Sequence, residues 1–250
     1  MLHDPKDEAL RRATERAERL NEDYRHHGAL AVLGRALSDE SLGRTAMVSS
    51  FGAESVVLLH MLSVTKRSTP VLFIDTEMLF AETLTYQMEL SERLKLSDVR
   101  ILRPDRDRLF EADNENLLHL HDPDACCALR KTETLQSALA DFDTWITGRK
   151  RYQGGMRAEL PFFEVDDKAR IKVNPLAMWT SADLQTYIAE NNLPRHPLVA
   201  KGYPSIGCAP CTTRVNDGED PRAGRWRDLE KTECGIHFAG GKVIRSGAAL

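Results

Sequence analysis

The chain has 250 residues, of which 42% are apolar and 29% charged, and its formal net charge is −4. This is the balance of an ordinary globular protein with one large or two small domains. The net negative charge argues against a nonspecific nucleic-acid binder, because no net positive field attracts phosphate backbones. No apolar run reaches the roughly 18 residues of a transmembrane helix, and the charged segment Met1–Leu20 lacks the apolar core of a signal peptide. We therefore expect a cytoplasmic protein without membrane contact.

The first forty residues are predicted to be helical, because Leu10, Ala13, Ala17 and Leu20 recur at helical spacing. Short apolar runs and helical segments then alternate along the chain. The predicted strands are Ala46–Ser49, Val71–Ile74, Val99–Leu102, Trp145–Thr147 and Ile171–Val173. The predicted helices are Glu54–Leu62, Phe80–Leu94, Cys126–Ala140 and Ala182–Asn191. This alternation predicts an α/β fold with a mostly parallel, twisted sheet flanked by helices and right-handed crossovers.

Two further patterns complete the expected architecture. Phe80, Leu84 and Met88 fall on one side of the second predicted helix, which indicates an apolar face. The composition becomes Gly-rich and polar near the C-terminus. We therefore expect a single α/β domain with a helical N-terminus at 1–215 and a mobile C-terminal tail at 216–250.

A ligand site is predicted at the carboxyl edge of the sheet, where open α/β proteins bind their ligands. The first predicted strand leads into Ser49-Ser50-Phe51-Gly52. Small hydroxyl residues and a glycine allow backbone N–H groups and a helix N-terminus to approach an anion. No Gly-Lys-Ser/Thr follows, so the loop is not a Walker A sequence. An ordinary strand-to-helix turn is the alternative.

Two other strand ends carry polar residues that fit a nucleotide. The second strand ends at Asp75 and Thr76, where a carboxylate can hold a ribose hydroxyl, although Asp75 could equally be a helix N-cap. The fourth strand leads through Gly148 into three consecutive cations, Arg149, Lys150 and Arg151. At a strand end this triplet indicates a pocket for phosphate or sulfate oxygens, with a solvated loop as the alternative.

The cysteine pattern is the most specific signal in the sequence. An odd count of five argues against a disulfide framework and favours metal binding or catalysis. Cys126 and Cys127 are adjacent near a predicted helix start, and Cys208 and Cys211 share a compact loop. Four thiolates could bind zinc or an iron–sulfur cluster, or stay unliganded in the core. Adjacent cysteines on a helix diverge by about 100°, which favours the wider cluster.

Lys131 and Cys234 complete the candidate chemistry. Lys131 follows the cysteine pair by one helical turn, where it could link an anionic cluster to an anionic substrate or simply be solvated. Cys234 lies outside the group of four. Its neighbours Lys231 and His237 favour a reactive thiolate, whereas Glu233 opposes a second negative charge. A stray surface cysteine is the alternative to a reactive one.

Together these motifs resemble a known family. Cys126-Cys127, Cys208-Ala-Pro-Cys211 and Glu233-Cys234-Gly235-Ile236-His237 are similar to the assimilatory adenylyl-sulfate reductases, the iron–sulfur branch of the adenylyl/phosphoadenylyl-sulfate reductase family. The resemblance runs from about Ser49 to His237. It implies an adenine nucleotide alpha hydrolase-like fold, a [4Fe-4S] cluster on the four clustered cysteines, and thioredoxin as reductant. Members are commonly oligomeric, so the resemblance leaves a homo-oligomer open.

The resemblance also implies a reaction, the reduction of adenylyl sulfate to sulfite and AMP in sulfate assimilation and cysteine biosynthesis. Cys234 would attack the sulfate sulfur to form an S-sulfocysteine, from which thioredoxin frees sulfite. Both reacting groups are anionic, so the site must supply positive charge. The candidate cations are Lys131, Arg149, Lys150, Arg151, Arg222, Arg225 and His237. The remaining residues of the implied substrate pocket are Ser49, Ser50, Phe51, Gly52, Asp75, Thr76 and Gly148.

Three other functions compete with this one. Phosphoadenylyl sulfate could be the substrate, alone or beside adenylyl sulfate. An ATP-pyrophosphatase-type sulfurtransferase would share the pocket, but the Ser49–Gly52 loop lacks the second glycine of its Ser-Gly-Gly-x-Asp-Ser sequence. The basic triplet also departs from the Gln-Arg-Arg or Gln-Arg-Lys of many family members. A non-catalytic redox sensor would bind nucleotide and a cluster without needing Cys234.

Overall fold

The computed structural model describes residues 4–227 together with Lys231 and Gly235. A six-stranded sheet forms its centre. The strands are β1 (Thr45–Val48), β2 (Val71–Ile74), β3 (Val99–Leu102), β4 (Thr144–Ile146), β5 (Phe163–Val165) and β6 (Ile171–Val173). They lie in the order β3-β2-β1-β4-β6-β5, and every neighbouring pair is parallel except β5 with β6. The mostly parallel sheet expected from the sequence is confirmed.

Helices cover both faces of this sheet. They are α1 (Pro5–Tyr24), α2 (Ala29–Ser38), α3 (Ser55–Lys66), α4 (Ala81–Arg93), α5 (Arg106–Asp113), α6 (Leu118–His121), α7 (Pro123–Cys127), α8 (Glu133–Ala138) and α9 (Ser181–Glu190). A π-helical turn, Ala128–Thr132, joins α7 to α8, so the helical segment predicted from Cys126 to Ala140 is present with a π turn inside it. Within the described ranges, no helix combines the length and apolarity needed to traverse a bilayer.

The sheet separates two apolar clusters, because successive strand residues point to opposite faces. Met47 of β1 belongs to the larger cluster, which the helices α1–α4 and α9 also form. Its neighbour Ala46 belongs to the smaller cluster with Leu72, Trp145 and residues of α8. Burial on both faces explains why β1 and β2 appear in the sequence as short, almost continuous apolar runs.

Helix α1 covers the antiparallel edge strand β5. The Asn21 side chain donates to the Phe163 carbonyl at 2.7 Å and accepts from the Phe163 N–H at 2.9 Å. These bonds satisfy backbone groups that an open sheet edge would expose. Ala17 and Leu20 are buried, as their spacing predicted, whereas Leu10 is exposed.

The apolar face predicted for α4 is wrong. Leu84 lies at the surface and Met88 is 67% exposed. The helix instead buries Thr83, Tyr86, Gln87 and Leu90. The Tyr86 hydroxyl donates to the Pro194 carbonyl at 2.8 Å. Internal partners allow these polar groups to be buried, which a pattern of apolar residues does not reveal.

A buried ion pair links α5, the π-helical turn and the loop after β2. The side chains of Arg130 and Asp113 are 1% and 2% exposed, and Arg130 Nη2 lies 2.7 Å from Asp113 Oδ2. Arg130 also donates to the Thr76 carbonyl at 2.9 Å and to Asn116 Oδ1 at 2.7 Å. The pair therefore fixes the turn that follows α7 against the carboxyl end of β2.

We predict that Asp113→Ala destabilises the protein by about 3–5 kcal/mol, because the Arg130 charge would stay buried without its carboxylate. Glu111→Ala changes an exposed carboxylate of the same helix. This control should alter the free energy of unfolding by less than about 0.5 kcal/mol. Urea denaturation followed by circular dichroism measures both variants. Equal losses would contradict the structural role of the pair.

Candidate active site

The strand order reverses between β1 and β4, since β2 and β3 extend the sheet on one side and β6 and β5 on the other. Open α/β sheets bind ligands in the crevice at such a reversal, beyond the carboxyl ends of the strands. A pocket of the described chain lies at this place. It is lined by Val48 and the loop after β1, and by Thr147 and the loop after β4.

The loop after β1 is held by its own hydroxyl groups and by one aromatic anchor. The Phe51 N–H donates to Ser49 Oγ at 3.2 Å, and the Gly52 N–H donates to the hydroxyl of the first α3 residue at 3.0 Å. Phe51 has a φ of 48°, which is uncommon for a bulky residue. Its buried ring lies 5.3 Å from the ring of Phe73. Phe51 thus anchors the loop in the core, while Ser49, Ser50 and Gly52 line the pocket.

The two residues after β2 have different surroundings. Thr76 lines the pocket, and its Oγ1 lies 3.2 Å from Cys208 Sγ. The Asp75 carboxylate accepts from the Glu77 N–H at 3.0 Å and from Arg103 Nε at 3.2 Å. Among the residues described, Asp75 is not part of the pocket lining. Its carboxylate stabilises the turn, a role closer to the capping alternative than to ribose binding.

Arg149 and Lys150 line the pocket and are paired with carboxylates. Arg149 Nη2 donates to Glu164 and to Asn174 Oδ1, the latter at 3.1 Å. Lys150 Nζ donates to Glu54 Oε2 at 2.6 Å. Burial lowers the pKa of Lys150, and the Glu54 carboxylate opposes that shift. The carboxylates therefore offset the cost of holding these two cations inside the protein.

The third cation of the triplet has different contacts. Arg151 Nε donates to the Leu160 carbonyl at 2.8 Å. Its side chain is not part of the pocket lining in the region that the structure describes. The structure therefore brings Arg149 and Lys150 to the pocket but not Arg151.

Three further arginines line the pocket, Arg157, Arg222 and Arg225. The Arg225 guanidinium lies 4.3 Å from the ring centroid of Trp226, and its Nη1 donates to the Ile206 carbonyl at 3.3 Å. A Cβ on Gly207 would lie 2.3 Å from Arg225 Nη2. Only a glycine at this position lets the guanidinium pack so closely.

The segment with Arg222 and Arg225 pairs with the loop that contains Cys211. Residues 212 and 225 form an antiparallel bridge, and the Trp226 N–H donates to the Cys211 carbonyl at 3.1 Å. A Cβ on Gly224 would lie 2.2 Å from the Thr213 carbonyl oxygen, so this pairing requires a glycine. The boundary at residue 215 and the mobility of the tail stay predictions.

The structure brings the four clustered cysteines together beside the pocket. Burial raises the pKa of Cys126 to about 12, and the charge of Cys127 adds to the effect. Burial and then the charges of Cys208 and Cys127 raise the pKa of Cys211. These mutual effects indicate that the sulfurs face a common region. Among residues 4–227, 231 and 235, no three His, Cys, Asp or Glu side chains are arranged to hold a single metal ion.

Lys131 lies between this cysteine group and the pocket. It lines the pocket and hydrogen-bonds to Cys208. Burial alone would raise the pKa of the Cys208 thiol, but the Lys131 charge and the Thr76 hydrogen bond lower it overall. The two candidate residues Cys234 and His237 lie outside the described residues.

Several residues of the site were missed from the sequence. They are Glu54, Arg157, Glu164, Lys172 and Trp226. Glu54 and Glu164 belong to the site because they form ion pairs with Lys150 and with Arg149. These pairs join residues far apart in the sequence, so no local sequence pattern indicates them. The position of Glu54 two residues after the Ser49–Gly52 loop was the one available indication that it would lie near a ligand.

The fold and pocket define an α/β protein of the nucleotide-binding class, with its site at the reversal of strand order. The phosphoadenosine phosphosulfate reductase domain matches residues 44–214, more than half of the chain. The chain belongs to this family, and the resemblance drawn from its motifs is confirmed.

Individual relatives agree with this assignment. An adenosine 5'-phosphosulfate reductase from Chelativorans sp. is 46% identical over 232 residues, which cover 92% of this chain and 94% of that protein. A phosphoadenosine 5'-phosphosulfate reductase from Gloeobacter violaceus is 38% identical, over 86% of this chain and 90% of its own. The crystal structure of phosphoadenylyl-sulfate reductase from Candida auris in a phosphate complex is similar with a TM-score of 0.68 and 27% identity, covering 80% of this chain and 97% of that one. The expected enzyme class is likewise confirmed.

Lys172 shares a carboxylate with a cation of the pocket, because its Nζ lies 3.1 Å from the Glu164 carboxylate that also binds Arg149. Burial, followed by the Arg149 charge, lowers the pKa of Lys172 to about 8. In the unfolded chain the pKa of a lysine is about 10.4. Between about pH 8 and about pH 10.4 the unfolded chain therefore binds more protons at Lys172 than the folded protein does. In that range Lys172 makes the free energy of unfolding rise with pH.

We predict that Lys172→Met removes this rise. Between about pH 7 and about pH 10 the free energy of unfolding of wild type should increase by about 1–3 kcal/mol relative to the variant. Lys168→Met, at an exposed position, is the control and should follow the wild-type curve. Urea denaturation across this pH range measures the difference. Parallel curves for wild type and Lys172→Met would refute the prediction.

Proposed function

We propose that this protein reduces adenylyl sulfate to sulfite and AMP, with thioredoxin as the reductant and a [4Fe-4S] cluster bound by its four clustered cysteines. The observation that carries the proposal is the position of Lys131, which lines the pocket and hydrogen-bonds to Cys208. Lys131 thereby connects the group of four cysteines to a pocket lined by cations. The relatives named adenosine 5'-phosphosulfate reductase support the choice of substrate. A reaction that needs reduced thiols fits the cytoplasm.

The pocket suits a substrate with two adjacent anionic groups. Arg149, Lys150, Arg157, Arg222 and Arg225 line it together with Lys131. We expect the adenylate to lie over the loop after β1, since Ser49, Ser50 and Gly52 are there. The cations are in place before the reaction, so they can stabilise charge that develops on the departing phosphate without reorganising.

The cysteine residues fit an iron–sulfur cluster. Cys126, Cys127, Cys208 and Cys211 provide four thiols, the usual donor set of a [4Fe-4S] cluster. Their mutual pKa effects indicate a shared region, and a cluster spreads its ligands more widely than a single ion does. When bound, the cluster would supply structural support and an electrostatic field. The thiols alone account for the two electrons of the reaction.

The proposed reaction balances as thiol chemistry. The Cys234 thiolate attacks the sulfate sulfur, the bond from that sulfur to the bridging oxygen breaks, and AMP leaves with the electron pair. This step forms Cys234–S–SO₃⁻. A thioredoxin thiolate then attacks Cys234 Sγ and releases sulfite, and the second thioredoxin thiol resolves the mixed disulfide. Sulfur gains two electrons, and thioredoxin is oxidised to its disulfide.

Phosphoadenylyl sulfate is the second candidate substrate, supported by the relative from Gloeobacter violaceus that carries that name. Steady-state kinetics with both nucleotides separates the candidates. A kcat/KM for adenylyl sulfate at least about tenfold higher, a difference of about 1.4 kcal/mol, would support the first proposal. The reverse ratio would support the second.

We predict that Cys234→Ser abolishes sulfite formation, because the hydroxyl is a far weaker nucleophile than a thiolate and cannot form the S-sulfo adduct. Turnover should fall below about 10⁻³ of the wild-type rate. The brown colour of the cluster should remain, since this residue is not among its ligands. Sulfite production near the wild-type rate in this variant would contradict the role of Cys234 as the nucleophile.

We predict that Cys208→Ser loses the cluster absorption and most of the activity, because this thiol is both a proposed ligand and a partner of Lys131. Cys234→Ser provides the matched control, since it removes a thiol outside the group of four. Visible absorption and iron content measure cluster loading. An unchanged spectrum in Cys208→Ser would exclude that cysteine as a ligand.

A further inference from the structure

Two buried cations share one carboxylate oxygen on the edge strand β5. Arg149 Nη2 donates to Glu164 Oε1, and Lys172 Nζ lies 3.1 Å from the same atom. The Arg149 and Lys172 side chains are 9% and 3% exposed. Arg149 lines the ligand pocket, whereas Lys172 is not part of that lining in the portion of the chain that the structure describes. A single carboxylate charge is thus divided between a cation of the pocket and a cation outside it.

Other contacts hold Arg149 in place independently of Lys172. Arg149 Nη2 also donates to Asn174 Oδ1 at 3.1 Å, and its Nε donates to Thr147 Oγ1 at 3.4 Å. The Thr147 hydroxyl donates to the same Asn174 oxygen at 2.7 Å. The Asn174 amide in turn donates to the Pro161 carbonyl at 3.0 Å. A change at Lys172 therefore alters the charge around Arg149 while these bonds keep the guanidinium at the pocket.

The charged groups around Lys172 come from both of its neighbouring strands and their loops. They are Glu164 from β5, Asp166 from the turn after β5, and Arg149 from the loop after β4. The Asp166 carboxylate also accepts from Arg170 Nε at 2.7 Å and from Trp145 Nε1 at 3.1 Å. The Trp145 ring of β4 lies 4.7 Å from Lys172 Nζ. Burial, followed by the Arg149 charge, lowers the pKa of Lys172 to about 8, so this ammonium loses its proton in mildly alkaline solution.

Loss of the Lys172 proton weakens the positive field of the pocket. While Lys172 is charged, two cations offset the Glu164 carboxylate, and Arg149 keeps more of its own charge for a ligand. Once Lys172 is neutral, Glu164 neutralises Arg149 alone. Electrostatic interactions are strong inside a protein, so an anion in the pocket is bound less tightly in the second state. Affinity for an anion should therefore fall as the pH rises through the pKa of Lys172.

We propose that Lys172 is a positioning residue that draws the Glu164 carboxylate away from full pairing with Arg149, so that the pocket binds an anionic nucleotide more tightly. The proposal rests on the proposed function in taking an adenylate as the ligand, but it requires no step of the reaction. Couplings between two sites in a protein commonly change an affinity by about fivefold or more. Lys172 thereby makes nucleotide affinity depend on pH through a residue outside the pocket.

The test measures AMP affinity by titration calorimetry in cluster-loaded wild type, Lys172→Arg and Lys172→Met. The arginine stays charged at every pH used, and the methionine never carries a charge. At about pH 7 wild type should match Lys172→Arg and bind AMP about 5- to 10-fold more tightly than Lys172→Met. At about pH 9.5 wild type should match Lys172→Met and bind about 5- to 10-fold more weakly than Lys172→Arg. Lys168→Met, at an exposed position, is the control and should follow wild type at both pH values.

A second measurement observes the proton on Lys172 directly. NMR of isotope-labelled lysine side chains gives a titration curve for each lysine, and the Lys172 signal is the one absent from Lys172→Met. Saturating AMP should move the midpoint of that curve to higher pH, because the coupling between a bound proton and a bound nucleotide is reciprocal. The midpoint of the exposed Lys168 should stay where it is.

The outcomes separate this proposal from the proposed function. Wild type that binds AMP but forms no sulfite rejects the proposed function, and the affinity comparison still decides the role of Lys172. If AMP does not bind, inorganic pyrophosphate replaces it as the anionic probe in the same three proteins. An affinity ratio between wild type and Lys172→Met that is the same at both pH values overturns the role of Lys172, because a packing contribution does not titrate. If Lys172→Arg fails to fold, the NMR titration decides, and a midpoint that AMP leaves unchanged rejects the proposal.

Discussion

Buried positive charge at the carboxyl edge of the sheet is the constraint on which the rest of this structure depends. Four cations there are each less than a tenth exposed and each paired with a carboxylate: Arg130, Arg149, Lys150 and Lys172. An unpaired ion in such surroundings costs several kcal/mol. The carboxylates allow the fold to hold a positively charged pocket before any anionic ligand arrives. The arginines from the segment after β4 and from residues 222–225 then supply the field that a ligand meets.

Thr76 shows how closely the pocket is joined to the cysteine group. Its carbonyl accepts from Arg130, its hydroxyl lies against Cys208 Sγ, and it lines the pocket. Lys131 makes a parallel link, since it touches Cys208 from the helical turn after Cys127. Thr76 and Lys131 thus each contact both Cys208 and the ligand pocket. A change in the thiol group must therefore alter the field and geometry in the pocket.

Strands and loop residues that depend on neighbouring residues in the sequence were predicted. Contacts between residues far apart in the sequence were not. The bounds predicted for β2, β3 and β6 match the structure, because each run of β-branched and aliphatic residues ends at a polar residue or a proline. Strand β5 was missed, since three residues paired antiparallel at an edge carry no clear pattern. Arg149 and Lys150 were predicted to belong to the site because they follow the end of a predicted strand. Their partner Glu164 was not, because it lies on β5 and reaches Arg149 across β6, a neighbourhood that only the assembled sheet creates.

The composition of the pocket bears on which residue could act as a nucleophile. Its lining, over the residues that the structure describes, offers cations, hydroxyls and backbone groups but no cysteine. Three of the four clustered cysteines are buried and Cys211 is half-buried, and burial raises the pKa of Cys126 and of Cys211, which makes these two thiols poor nucleophiles. A nucleophilic thiol from outside this group, as proposed for Cys234, is consistent with that composition. Trp226 and Lys231 are both buried, Trp226 against the Cys211 carbonyl and Lys231 against the start of α7, so the described part of the C-terminal segment lies beside the cysteine group.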